Sequence, residues 1–167
     1  MPQGGRTAQR RRFGGAAMHV ALVLVILVVL AIGFWPSRVD AGAHDELEAL
    51  FAWFASIGLP GIDYRVLESA ANVVMFVPIG FLVALELGPA RWLPSVLVGA
   101  ALSIVIEAGQ WLLLPDRVPS AGDVIANTAG AALGVGLGVV IAGVRRRRSR
   151  RRADATQDPD AEPIRPA

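Results

Sequence analysis

Four apolar runs, each about as long as the 20 residues needed to cross a bilayer, constrain this chain more than anything else in it. They cover residues 16–35, 66–87, 92–114 and 122–144. The 167-residue chain is 54% hydrophobic with a mean hydropathy of +0.52. That is too apolar for an ordinary soluble domain, and its apolar residues come in blocks. Inside lipid every backbone polar group must be satisfied within the protein, so runs of this length read as helices. The expected fold is therefore all-α: a polytopic membrane bundle of four transmembrane helices, one compact domain in length.

Charge orients the bundle. All sixteen basic residues are arginines, and most flank the apolar part. Arg6, Arg10, Arg11 and Arg12 precede the first run; Arg145, Arg146, Arg147, Arg148, Arg150, Arg151 and Arg152 follow the last. Arginine clusters abutting apolar helices mark the cytoplasmic side, so both termini are expected there, in agreement with an even number of spans. Arg91 suits the inner turn between spans two and three. Trp35, Trp92 and Trp111 stand at or near span ends, where indole rings favour the headgroup level. A basic run can also bind nucleic acid, but its position against a span argues for the membrane. Residues 10–13 resemble a twin-arginine signal. The apolar stretch behind them is longer than a signal core, and Trp35-Pro36 stands before the nearest cleavage site, so an uncleaved first span is the preferred reading. The chain divides into a basic arm, residues 1–15, a membrane domain, 16–144, and a tail, 145–167, basic and then disordered; the first nine residues are also expected to be disordered.

The longer outer connection, residues 36–65, is not structureless. Leu47, Leu50, Phe51, Phe54 and Ile57 recur at helical spacing, the pattern of a short amphipathic helix on the outer surface, read as a lid or spacer. Gly58, Pro60 and Gly61 end it.

The polar residues inside the spans carry the functional argument. A carboxylate in the bilayer is costly and normally faces a protein interior or a watery cavity. Glu107 lies inside the third run, with Gln110 three residues on and Ser103 one turn deeper. Glu68 and Asn72, spaced i and i+4, open the second run; Asp123 and Asn127, again i and i+4, open the fourth. At 1.5 Å per residue, Glu68 and Asp123 lie about 3–4 Å, Gln110 about 6 Å, and Asn72, Glu107 and Asn127 about 9–10 Å below the outer end. Arg117 occupies the short outer loop. Glu68, Asn72, Glu107, Gln110, Arg117, Asp123 and Asn127 are the candidate ligand-binding set, expected to meet in one polar pocket facing away from the cytoplasm. Burial alone would push Glu107 to protonate; pairing with Arg117 would keep it charged.

Bland readings compete. Ser120-Ala-Gly-Asp123 fits a capping box in which the carboxylate returns to the cap backbone. Asn72, Gln110 and Asn127 could serve as interhelical glue. His19, at the inner end of the first span, reads as an interfacial residue, and His44 as a solvated loop residue. Gly130, Gly134 and Gly138, with Ala126 and Ala142, form a small-residue stripe below Asp123 and Asn127. Such stripes let helices approach closely, here against another helix of the same chain or, alternatively, in a homodimer. Pro78 interrupts the second span and frees the Val74 carbonyl; Gly80 permits close packing.

The order and spacing of these residues resemble the VanZ-like membrane family. Asn72, Phe76, Pro78 and Gly80 match its N-x-x-x-F-x-P-x-G segment. Glu107 and Gln110, then Arg117, then Asp123, Asn127, Thr128, Gly130 and Gly134 match its E-x-x-Q…R…D-x-x-x-N-T-x-G-x-x-x-G block. The likeness covers about residues 68–136. One departure stands out: many members carry an acidic residue just before the Asp, where this chain has Gly122. The resemblance implies a small multi-pass envelope protein. Its founding member is linked to resistance to teicoplanin-type glycopeptides, and the family has no settled molecular activity.

Three functions follow as expectations. The pocket could bind the polar part of an amphiphilic envelope ligand, with membrane lipids as its other partners and no nucleic acid. It could be a carboxylate-dependent enzyme acting on a lipid-linked envelope substrate, with Glu68, Glu107 and Asp123 as acid and base or as oxygen ligands for a divalent cation. Or the chain could be a transporter subunit, the weakest reading, since four helices enclose little path and broken-helix repeats are not evident. The chain has no cysteine, no G-x-S-x-G and no H-E-x-x-H, which removes thiolate and zincin chemistry and leaves serine chemistry without support. No cofactor or metal is expected.

Overall fold

The computed structural model describes residues 4–34, 44–114 and 119–156. Among them the structure is helical, with no strand: α1 (Gly4–Gly33), α2 (His44–Ser56), α3 (Tyr64–Leu87), a short 3-10 turn (Pro89–Arg91), α4 (Trp92–Leu113) and α5 (Ala121–Thr156). α1, α3, α4 and α5 each contain a stretch long and apolar enough to cross a membrane.

Local chemistry sets the helix ends. Asp63 caps α3, its Oδ1 accepting from the Val66 N–H at 3.0 Å. Gly88, at φ 83°, closes α3 by donating to the Ala84 carbonyl; its positive φ is one that glycine adopts without strain. The turn after it is so short that α3 and α4 form a tight antiparallel hairpin. α2 ends in a Schellman motif: Gly58 (φ 89°) donates to Ala55 and Leu59 donates to Phe54, satisfying carbonyls that the helix end would otherwise orphan.

Two helices run past the apolar limits expected from sequence. α1 begins at Gly4, so residues 4–9, expected to be disordered, are helical, and α5 continues through all seven arginines to Thr156. Arginine is a good helix former, and an apolar span supplies a nucleus from which the basic segment simply continues. Trp35, Arg117 and the last eleven residues lie outside the described residues.

α5 is the centre of the bundle. It packs most extensively on α3 and next on α4, while α1 lies mainly against α3. α3 and α5 run parallel, since Gly130 meets Val73, Gly134 meets Val77, and Gly138 meets Phe81 and Ala84. A Cβ added at Gly80, Gly130 or Gly134 would run into backbone atoms of the facing helix, so the small-residue stripe is occupied by α3. α4 runs antiparallel to α5, with Gly99 tight against the Ala131 side chain. The buried core, Val29, Phe76, Ile79, Val83, Ile106 and Ala131, joins all four long helices.

The opposite faces are apolar and exposed: Val20, Leu24 and Leu27 on α1, Leu97, Val105 and Leu112 on α4, and Ile125, Leu133 and Val140 on α5. In water such a surface would drive association; around a four-span bundle it is the surface that lipid tails cover. On α2, Leu50 and Trp53 are exposed, as is Ile57 just past its end, and Trp53 stacks edge-on against Phe54, centroids 5.0 Å apart. α2 makes no extensive contact with the other helices among the described residues, so a lid pressed on the bundle is not what this arrangement shows.

Candidate functional site

The polar side chains gather at one end of the bundle, where α1 and α4 finish and α5 starts. Asn72 on α3 donates through Nδ2 to Oδ1 of Asp123 on α5, at 2.9 Å. The Ser120 backbone N–H donates to Oε2 of Glu107 on α4, at 3.0 Å. The Asp123 N–H donates to Ser120 Oγ, at 3.2 Å. One turn deeper, about 6 Å by helical rise, Asn127 Nδ2 donates to Ser103 Oγ at 2.9 Å. Three helices thus contribute to two tiers: Asn72, Asp123, Ser120 and Glu107 above, Ser103 and Asn127 below.

Only half of the expected capping box forms. Ser120 Oγ takes the Asp123 N–H, as an N-cap should. The reciprocal bond does not go to Asp123: Glu107, from the neighbouring helix, takes the Ser120 N–H. This substitution frees the Asp123 carboxylate to reach α3. Local spacing shows that a carboxylate three residues on can close the box; it does not show that α4 brings a competing carboxylate to the same N–H.

The candidate residues separate into groups. Asn72, Glu107, Asp123 and Asn127 come together. Gln110 is buried, but its Nε2 donates at 2.8 Å to the Gly33 carbonyl at the end of α1. That carbonyl is one of the last four of its helix, which lack intrahelical partners, so Gln110 ties α1 to α4. Glu68 is exposed and stands outside the hydrogen-bonded set, in a stretch where residues 65–71 are exposed all round. The first turns of α3 therefore extend beyond the cover of the bundle. Arg117 lies outside the described residues, and so does the side chain of His44. His19, at the far end, is mostly exposed, with Nδ1 3.2 Å from Glu86 Oε1. No group of three or more His, Asp or Glu among the described residues could hold a metal ion.

The Ser120 backbone N–H as a donor to Glu107, and the Gly33 carbonyl, are the participants that residue patterns missed. The only signal for either was generic, a helix start and a helix end at the depth of the polar side chains.

Within this cluster one atom is left over. Asn127 is 5% exposed, and its Oδ1, fully enclosed, has no hydrogen-bond partner among the described residues. An unpaired buried carbonyl costs about 1–3 kcal/mol, and native proteins carry few of them.

This cluster falls within residues 21–142, which match the VanZ/LLP1 family model. The chain belongs to the VanZ/LLP1 family. The match takes in all but the first residues of the α1 span and continues to the end of the apolar part of α5, so membership covers the membrane domain as a whole. With four spanning helices, this VanZ/LLP1 member is a multi-pass membrane protein. Comparison with curated proteins and with solved structures gives no significant match.

Proposed function

We propose that the cluster of Asn72, Glu107, Asp123 and Asn127 binds the polar head of an amphiphilic envelope ligand, and that through this binding the protein affects susceptibility to teicoplanin-type glycopeptides. The arginine-rich ends of α1 and α5 belong in the cytoplasm by the positive-inside rule, which opens the cluster to the outside of the bacterial cytoplasmic membrane. A site partly sunk in the outer leaflet suits a ligand with a polar head and an acyl chain. The observation that carries this reading is the convergence of three helices on one polar end through the Asn72–Asp123 and Glu107–Ser120 hydrogen bonds. Beneath the two tiers, Gly99 closes on Ala131 and the α3–α5 glycines close on backbone. A blind site of this kind fits binding better than passage across the membrane.

A carboxylate-dependent enzyme acting on a lipid-linked envelope substrate is the second reading. It is favoured by Glu107, whose half-buried carboxylate is oriented by the Ser120 N–H, as a general acid or base must be.

The test is expression of wild type, Asn127→Ala and Glu107→Gln in a susceptible bacterium, with membrane abundance measured alongside the inhibitory concentrations of teicoplanin and of a glycopeptide without an acyl chain. The binding reading expects wild type to shift the teicoplanin value selectively and Asn127→Ala to lose the shift at equal abundance. Equal protection by both variants would refute it. The enzyme reading expects Glu107→Gln to abolish the effect while ligand binding persists.

A further inference from the structure

We infer that Asn127 Oδ1 forms the floor of the site and accepts a hydrogen bond from a donor group, a hydroxyl or an ammonium, on the bound head. This inference rests on the binding reading above and adds the chemistry of its deepest contact.

Asn127 has two hydrogen-bonding ends, and the structure uses one. Its Nδ2 is committed to Ser103 Oγ on α4, which fixes the plane of the amide. Its Oδ1 is enclosed and without a partner among the described residues. Carbonyl oxygens only accept, so whatever completes this atom carries an N–H or O–H. Asp123 stands one turn above on the same face of α5, its Oδ1 accepting from Asn72. A carboxylate above and an amide oxygen below present acceptors along one side of α5. A fully ionised phosphate offers only acceptors in return, whereas a sugar hydroxyl or an amine offers donors. Below Asn127, Ala131 fills the next position on that face and is sealed by Gly99, so the amide is the deepest polar group of the cluster on that face of α5.

The chain contains only two asparagines, Asn72 and Asn127, which makes the contact directly observable. Protein in phosphatidylcholine nanodiscs, labelled with 13C only at asparagine, gives two side-chain carbonyl signals, assigned with Asn72→Gln. Dodecyl β-D-glucoside, dodecylammonium and dodecyl phosphate share a tail and differ in head. The expected result is a saturable shift of the Asn127 signal with the glucoside, the ammonium or both, and none with the phosphate; whichever donor acts identifies its class. An apolar floor, Ser103→Ala with Asn127→Leu, should weaken the active probe at least tenfold. Asn127→Asp, which keeps an acceptor at the floor, should retain binding even if the apolar pair misfolds. Movement of the Asn72 signal alone would overturn the inference and leave the binding reading standing, as would an Asn127 response to phosphate only. Silence of both signals with every probe would overturn both.

Discussion

Gly134→Ala is the sharpest test of how the bundle is held together. Its added Cβ would lie 2.7 Å from the Phe81 nitrogen and closer still to the Val77 carbonyl oxygen. Both are backbone atoms, and neither can move without moving α3. The two helices must therefore separate by roughly an ångström, which also disturbs Gly130 on Val73 and Gly80 on Ala131. Overpacking of this kind costs about 1–3 kcal/mol. Alanine regains about 1 kcal/mol of helix propensity, so the expected net loss is up to about 2 kcal/mol, or up to roughly 30-fold in the folded-to-unfolded ratio. The matched control is Gly136→Ala, two residues away on the same helix, where an added Cβ meets nothing within 4 Å. It should be neutral or slightly stabilising. Reversible unfolding in mixed micelles, followed by helical circular dichroism, measures both. Equal effects at the two positions would refute the close α3–α5 contact, because propensity alone cannot distinguish them.

Three further outcomes follow from the same geometry. A double-mutant cycle on Asn72→Leu and Asp123→Leu should give a coupling energy of about 0.5–1.5 kcal/mol, the range for interhelical hydrogen bonds in membranes; zero coupling would mean that the pair does not form. Gln110→Met, similar in shape but without the donor, should loosen the end of α1, raising amide hydrogen exchange near Gly33 while leaving the α3–α5 contact protected. Glu68→Gln should leave stability within about 0.5 kcal/mol of wild type, as for an exposed position, whereas Glu107→Gln, which weakens the bond to the Ser120 N–H, should cost about 1 kcal/mol or more.

Much of this structure is legible in the residue pattern because the bilayer leaves few alternatives. Spans long enough to cross, with internal backbone pairing, give helices. Periodicity then shows which side chains share a face, which is why Asp123 and Asn127 fall above Gly130 and Gly134. Periodicity does not show where neighbouring helices stop. Glu68 lies one turn from Asn72 on its face of α3, yet that turn extends past the packed region, so the same spacing that unites Asp123 with Asn127 fails there. Nor does it show which partner wins. Ser120 and Asp123 look complete as a local capping box, and only the approach of α4 gives the Ser120 N–H to Glu107. Gln110 reads as part of a polar pocket until the end of α1 supplies a carbonyl within its reach. These differences share a cause: tertiary neighbours decide among bonds that local spacing allows.

The central claim is that side chains from α3, α4 and α5 converge on one polar end. Because the chain has no native cysteine, paired substitutions can test it without background. Asn72→Cys with Asp123→Cys, and Ser103→Cys with Asn127→Cys, would be treated in native membranes with the shortest bis-thiosulfonate cross-linker. The account predicts rapid intramolecular cross-linking of both pairs and little of Glu68→Cys with Asn127→Cys. Cross-linking of that last pair as fast as the first two, or failure of both predicted pairs in folded protein, would contradict it.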